Sequence, residues 1–223
     1  MKKRVINVII ICGALALLSI PAILRAGDDN VYGKAGEKIF NAVGSEDSDT
    51  IVFSTDDVEV TKGELTAVIA GNTGQGKSQD EIVKDAVKTV VTRKYLYAEA
   101  VKAGVNVTNV EYETYKKTLN DSIQKSENKD SVQAYFEGFG GEENYWKKMK
   151  PMIMQNLVIR KYLDEQVETE NEVQGYSIEE SPAERNEKDK LETQIKEEAY
   201  EEALTAEEEK KLIHIADKLY KGI

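Results

Sequence analysis

The sequence predicts a mainly α-helical fold with one minor β-hairpin, preceded by an N-terminal transmembrane or signal helix. Three observations predict it: an apolar run near the N-terminus, a pair of short β-prone segments, and five capping boxes ahead of helically periodic stretches. In a capping box, a Ser or Thr is followed three residues later by Glu, and the two side chains satisfy backbone N–H groups at the helix start. The five boxes are Thr61/Glu64, Ser78/Glu81, Thr108/Glu111, Ser181/Glu184 and Thr205/Glu208.

The N-terminus has the features of a membrane anchor. Basic residues occupy positions 2–4, and the run from 5 to 24 is almost wholly apolar. A helix of about 20 residues spans a bilayer core of roughly 30 Å, and preceding basic residues favour a cytoplasmic start. A cleaved signal has a shorter apolar core and a small-x-small site, which Leu24 fits poorly ahead of Ala26. We therefore favour an uncleaved single-pass anchor, with a cleaved signal and a secreted chain as the alternative.

Composition and charge exclude several classes of function. The 223 residues carry a net charge of −11, all of which lies in residues 163–223, and residues 1–162 are neutral. An acidic excess argues against non-specific nucleic-acid binding, which needs clustered Lys and Arg. With one Cys and one His, the chain cannot form an intrachain disulfide, a multi-thiolate zinc site or a multi-histidine metal site. We expect neither cofactor nor metal, and no nucleic-acid partner.

The chain divides into five segments by composition. After an anchor or signal over 1–26, residues 27–49 are rich in Gly, Asp, Ser and Asn and predict a spacer. A helical domain is predicted over 50–167, and a polar loop over 168–182. Residues 183–223 predict two acidic helices that return to pack on the domain.

The domain begins with the predicted hairpin and its clearest helix. Residues 50–53 and 58–60 are β-prone and flank a polar turn. The helix after Ser78 carries a broad apolar stripe at i, i+3, i+4 spacing, with Gly104 placed to end it.

Three further helices follow in the domain. One starts at Thr108, a short one lies around 132–136, and a long one covers roughly 142–166. Pro151 interrupts the long helix, which predicts a kink or a break there.

One motif suggests nucleotide chemistry. Residues 71–78 read Gly-Asn-Thr-Gly-Gln-Gly-Lys-Ser and fit the P-loop pattern, in which a buried strand precedes the phosphate-binding loop and a helix follows it. The preceding segment 67–70 is short and lies inside a unit opened by the capping box at Thr61. We therefore favour a helix that stops at Gly71, a loop, and an N-cap at Ser78. Nucleotide binding through Lys77 stays a less favoured alternative, and we expect no enzyme activity.

Aromatic and methionine residues concentrate in positions 135–154. One interpretation is that they form the domain core. The other is that part of the cluster lines a groove for apolar peptide segments, since Met and aromatic side chains adapt to varied partners. The candidate client-binding residues are Tyr135, Phe136, Tyr145, Trp146 and Met149.

Three ordered passages within residues 50–167 resemble the N-terminal domain of SurA- and PrsA-type extracytoplasmic foldases. Residues 58–65, Val-Glu-Val-Thr-Lys-Gly-Glu-Leu, resemble that family's V-x-I-T-x-x-E-L opening. Residues 94–108 are similar to its L-x-x-E-A-x-K-x-G-[IV]-x-V-T passage, and Glu111 follows as in its T-x-x-E. Residues 139–146 resemble its G-x-[TS]-x-E-x-[YW] start of a long helix.

The resemblance implies chaperone binding of unfolded secreted or membrane proteins. Many members also carry a parvulin isomerase domain, but only about 15 residues separate the long helix from the C-terminal pair here, so none fits and no catalytic residue is implied. The leading hypothesis is a membrane-anchored, extracytoplasmic, chaperone-like protein that binds unfolded or secreted polypeptides without isomerase activity. The alternative is a structural or assembly protein that holds one dedicated partner.

Overall fold

A computed structural model describes residues 29–73, 76–126, 128–174 and 182–222. These residues form eight α-helices and one two-stranded antiparallel hairpin, which confirms the mainly helical class. The elements are α1 Asp29–Gly44, β1 Ile51–Ser54, β2 Glu59–Thr61, α2 Lys62–Asn72, α3 Gln79–Lys102, α4 Asn109–Gln124, α5 Lys129–Gly138, α6 Glu142–Gln174, α7 Pro182–Ala203 and α8 Ala206–Tyr220.

The membrane anchor stays a prediction. Residues 1–26 lie outside the described residues. Within the described ranges, every helix is too short or too polar to cross a bilayer.

Four of the predicted capping boxes are confirmed with both of their hydrogen bonds, and they begin α2, α3, α4 and α8. In each, the glutamate accepts the N-cap backbone N–H at 2.7–3.2 Å. A cap of this kind stabilises a helix by about 1 kcal/mol. The fifth box includes Ser181, which lies outside the described residues.

The predicted hairpin is also confirmed. Phe53 pairs with Val60, and Ser54 with Glu59. Phe53, Val58 and Val60 are buried, so the hairpin lays one apolar face on the helices.

Helix α3 is central, because it contacts α2, α6, α7 and α8. Its predicted apolar stripe is buried, and Gly104 adopts a φ of +81° just after the helix, where an L side chain would be strained. The C-terminal helices return to α3: Lys88 forms an ion pair with Glu197 on α7. The buried stripe of α3 comprises Ile82, Val83, Ala86, Val87, Val90 and Val91.

Helix α1 differs from the spacer expected over 27–49. Residues 29–44 form a helix that packs on α5 and α2. The spacer was predicted because Gly, Asp, Ser and Asn are frequent in residues 27–49. Four apolar residues of this segment nevertheless recur at helical spacing and are buried. They are Tyr32, Ala35, Ile39 and Ala42.

Helix α6 runs past the predicted end at 166 and reaches Gln174. Residues 168–174 were therefore wrongly assigned to a loop, and 175–181 lie outside the described residues. A kink or a break was predicted at Pro151. Pro151 lies inside the helix, and the helix continues through it without a break.

Candidate functional site

The P-loop pattern lacks the structural setting that phosphate binding requires. The segment before it is helix α2, which continues through Gly71 to Asn72, where a P-loop needs a buried strand. The Lys77 ammonium lies 2.6 Å from the Asp85 carboxylate, and Ser78 caps α3. Residues 74 and 75 lie outside the described residues. The interpretation as a helix end followed by an N-cap therefore fits, although the helix ends one residue later than Gly71.

The five candidate client-binding residues lie in the core. Each is at most 3% exposed. Their rings pack against one another: Phe136 and Tyr145 have centroids 4.9 Å apart, and Tyr145 meets Trp146 edge-on at 5.2 Å. Aromatic pairs favour such tilted and edge-to-face arrangements. In this conformation the five side chains offer almost no surface to a client, and they form part of the domain core. The residues are Tyr135, Phe136, Tyr145, Trp146 and Met149.

Neighbouring helices cover this aromatic cluster and fix it. Phe40 of α1 packs edge-on against Phe139 at 5.5 Å. The Trp146 indole N–H donates to Glu142, and the Tyr112 hydroxyl donates to the Trp146 carbonyl at 3.3 Å. Burial raises the pKa of Tyr145 well above its usual value, so its phenol stays neutral. The cluster is thus an uncharged, enclosed core.

A surface cleft of about 330 Å³ opens between the segment before α4 and the middle of α6. Its apolar part is formed by the half-buried Val107 and Leu157. Charged side chains form its rim, and we call the whole the α4–α6 cleft. The rim residues are Glu111, Arg160, Lys161, Asp164 and Glu165.

Local sequence explains why these residues meet. The connection from α3 to α4 is short and fixed at both ends, by Gly104 in the left-handed region and by the Thr108 N-cap. Val107 is held between them. On α6, Leu157, Lys161 and Asp164 follow i, i+4, i+7 spacing, which places them on one helix face.

The rim charges form ion pairs and hydrogen bonds with neighbouring groups. The Lys161 ammonium lies 3.4 Å from the Glu111 carboxylate and 3.3 Å from the Asn106 carbonyl. Asp164 lies 2.6 Å from the Lys188 ammonium and 3.8 Å from the Arg160 guanidinium. The backbone and side-chain hydrogen bonds from Thr108 lower the pKa of Glu111, and Lys161 adds to this effect. Glu111 is therefore ionised at neutral pH.

Exposed apolar side chains also occur around this turn. Among the described residues, the large hydrophobic side chains that are more than half exposed are Ile51, Val101 and Val110. Two of these, Val101 and Val110, flank in sequence the turn that supplies Val107. Exposed apolar residues that are scattered singly are ordinary, so these side chains carry no functional conclusion by themselves.

In the described ranges, His, Cys, Asp and Glu side chains form no group of three or more that could hold a metal ion.

Comparisons of the chain with protein-family models, with curated proteins and with solved structures found no match in any of the three. The resemblance to the foldase domain therefore rests on its three sequence passages.

Sequence reasoning did not identify the α4–α6 cleft. Leu157 was visible only as one more apolar residue of a long helix, and Val107, which lines the same cleft, lies 50 positions earlier. A signal was present in the order Arg160-Lys161 followed by Asp164-Glu165, which puts opposite charges on successive turns beside an apolar residue.

Proposed function

We propose that the protein is a membrane-anchored, extracytoplasmic, chaperone-like protein that binds unfolded or secreted polypeptides in the α4–α6 cleft. The observation that carries this proposal is that the half-buried Val107 and Leu157 line one cleft inside a rim of charged side chains. Such a site buries an apolar side chain of the client and leaves the client's polar backbone in contact with water and charged groups.

The size of the cleft supports reversible binding. At about 330 Å³ it lies at the low end of ligand sites and holds one large apolar side chain. Burying such a side chain contributes about 1.5–3 kcal/mol, which corresponds to weak binding at a single site. Weak binding of one side chain suits a protein that must release many different clients.

The compartment is inferred from the N-terminus. Basic residues at 2–4 followed by the apolar run from 5 to 24 favour an anchor with the following chain outside the cytoplasm. The foldase resemblance agrees with this placement. A fusion of alkaline phosphatase after residue 222 tests it, since that enzyme folds only where its disulfides form. An inactive fusion would contradict the placement.

The binding function is tested with a permanently unfolded, carboxymethylated protein that carries a fluorescent label. We expect Val107→Ser with Leu157→Ser to weaken binding about tenfold, because the site loses most of its apolar surface. Ile51→Ser is the matched control, since Ile51 is an exposed apolar residue on β1 that does not line the cleft. Circular dichroism verifies that the helices remain.

Equal binding by the wild type, the double variant and the control would rule out the cleft as the client site. Binding of unrelated unfolded chains favours a chaperone. Capture of one dedicated protein, with no affinity for unfolded chains, favours an assembly role instead.

A further inference from the structure

Lys161 joins the two sides of the α4–α6 cleft. It belongs to α6, and its ammonium lies 3.3 Å from the Asn106 carbonyl oxygen and 3.4 Å from the Glu111 carboxylate on the opposite side. Asn106 directly precedes Val107, so the ammonium ends close to the apolar residue of that side. The side chain of Lys161 therefore crosses the cleft from α6 toward the start of α4.

The stem of this lysine begins beside the other apolar residue of the cleft, Leu157. Lys161 follows Leu157 by four positions, so the two side chains lie on one face of α6, and side chains of a helix lean toward its N-terminus. The methylene stem of Lys161 thus lies over the turn that carries Leu157. The lysine side chain is 46% exposed, whereas Val107 and Leu157 are half-buried, which places the lysine at the mouth of the cleft.

The acceptor on the opposite side is held in place without the lysine. One carboxylate oxygen of Glu111, Oε2, accepts the backbone N–H and the hydroxyl of Thr108 at 2.7 and 2.8 Å. The other oxygen, Oε1, faces Lys161. Departure of the ammonium therefore leaves the capping box of α4 intact.

Breaking the contact between Lys161 and Glu111 costs little free energy. Both side chains are 46% exposed, and ion pairs between exposed groups contribute little to stability because water solvates both charges. The lysine stem is flexible and its ammonium is strongly hydrated, so the ammonium can turn into solvent. Of the two partners, Lys161 is thus the one that can move.

We propose that Lys161 is the gate of the α4–α6 cleft and sets the size of the client side chain that the cleft admits. This inference rests on the proposed function and concerns the same site. A client side chain that contacts both Val107 and Leu157 must occupy the path of the lysine stem. A bulky residue therefore displaces the ammonium from Asn106 and Glu111, whereas an alanine side chain is too short to reach across and leaves the gate closed.

Three fluorescent peptides without charged residues test the gate, each a Gly-Ser sequence with Ala, Leu or Trp at its centre. Binding to the full chain is followed by anisotropy. We expect Lys161→Ala to bind the Trp peptide about two- to fivefold more tightly than the wild type does, because no ion pair has to be broken. The gain should be smaller for the Leu peptide and absent for the Ala peptide. Lys117→Ala is the matched control, since Lys117 is an exposed lysine of α4 that does not line the cleft.

A second substitution distinguishes a gate from a passive wall of the cleft. Glu111→Gln keeps a capping-box side chain but removes the carboxylate that holds the ammonium, so it should also tighten binding of the Trp peptide, by about twofold. In the Lys161→Ala background it should add nothing, because the gate is already absent. A passive wall would not respond to the charge of Glu111. Circular dichroism verifies that the helices remain in each variant.

The outcomes separate this inference from the proposed function. Equal or weaker binding of the Trp peptide by Lys161→Ala would overturn the gate, and so would strictly additive effects of the two substitutions. In either case the client-binding function stands if the variant with Val107→Ser and Leu157→Ser still loses affinity for unfolded protein. Retention of that affinity would overturn the cleft as the client site and this inference with it.

Discussion

A β-carbon added to Gly138 would lie 1.8 Å from the carbonyl oxygen of Gly33, so helices α1 and α5 touch backbone to backbone at this point. The same holds one turn along α1, where a β-carbon on Gly36 would lie 2.2 Å from the Tyr135 carbonyl oxygen. Because backbone atoms cause both obstructions, no change of side-chain rotamer can relieve them. Glycine is required at these positions to bring α1 onto the aromatic core.

Gly138→Ala should therefore separate α1 from α5 and lower the free energy of unfolding. We expect a loss of about 1–3 kcal/mol in urea denaturation, as for other overpacked cores. Gly44→Ala is the control, since a β-carbon there meets only the flexible end of Lys148 at 3.6 Å. Equal stability of the two variants would contradict the backbone contact.

Arg93 is a buried cation, and Glu64 is the carboxylate that lies beside it. Its side chain is 2% exposed, and its guanidinium lies 3.7 Å from the Glu64 carboxylate, which also binds Lys94 at 2.6 Å. Burial lowers the pKa of Arg93, since desolvation disfavours the charged form.

Glu64→Gln keeps a capping-box side chain but removes the negative charge beside Arg93. We expect it to cost about 3 kcal/mol, because it leaves a buried charge without its counter-ion. In an Arg93→Met background the same substitution should cost clearly less. Urea denaturation of the four proteins measures the coupling, and strictly additive losses would contradict it.

The capping glutamates should make stability depend on pH. Hydrogen bonds from the N-cap serine or threonine lower the pKa of Glu81, Glu111 and Glu208 below the usual 4.5. A carboxylate whose pKa is lower in the folded state stabilises the fold above the unfolded pKa, and this contribution is lost as the pH falls through the folded value.

Replacing all three capping glutamates with Gln should therefore reduce the drop in Tm between pH 6 and pH 3. A control variant carries three Glu→Gln changes at exposed helix positions and should keep a drop close to that of the wild type. The prediction fails if both triple variants lose the same part of the pH dependence. The control positions are Glu113, Glu137 and Glu201.

Trp146 distinguishes the cleft from the aromatic cluster as the client site. It is the single tryptophan of the chain and is 3% exposed. Eleven residues of α6 separate it from Leu157, about 16 Å along the helix. We expect weak quenching by iodide and no shift in emission when an unfolded client binds. A shift on binding that persists in a Leu157→Ser variant would show that the aromatic core, and not the cleft, receives the client.

Local chemistry made much of the fold predictable. The capping boxes at Thr61, Ser78, Thr108 and Thr205 act within four residues, so the sequence shows both partners of each hydrogen bond. The hairpin is local in the same way.

Features that depend on distant partners were not predictable. The glycines of α1 suggested a flexible spacer, because nothing near Gly33 indicates that Gly138 lies against it. The aromatic side chains near Trp146 suggested either a core or a groove, and only the position of α1 over Phe139 distinguishes the two. The α4–α6 cleft brings together Val107 and Leu157 from different elements, which helical periodicity does not encode.

The return of the C-terminal helices to α3 has a consequence for biosynthesis. Lys88 and Glu197 are 109 positions apart, and Tyr95 and Glu202 are 107 apart. Leu96 shares a core cluster with Ala199 of α7, which follows it by 103 positions, so Leu96 lacks this partner until translation has delivered about a hundred further residues. Ile159 and Leu163 belong to the same cluster and lie 40 and 36 positions before Ala199. Completion of this core is thus a late event in folding that depends on long-range contacts, and the nascent protein exposes apolar surface until α7 arrives.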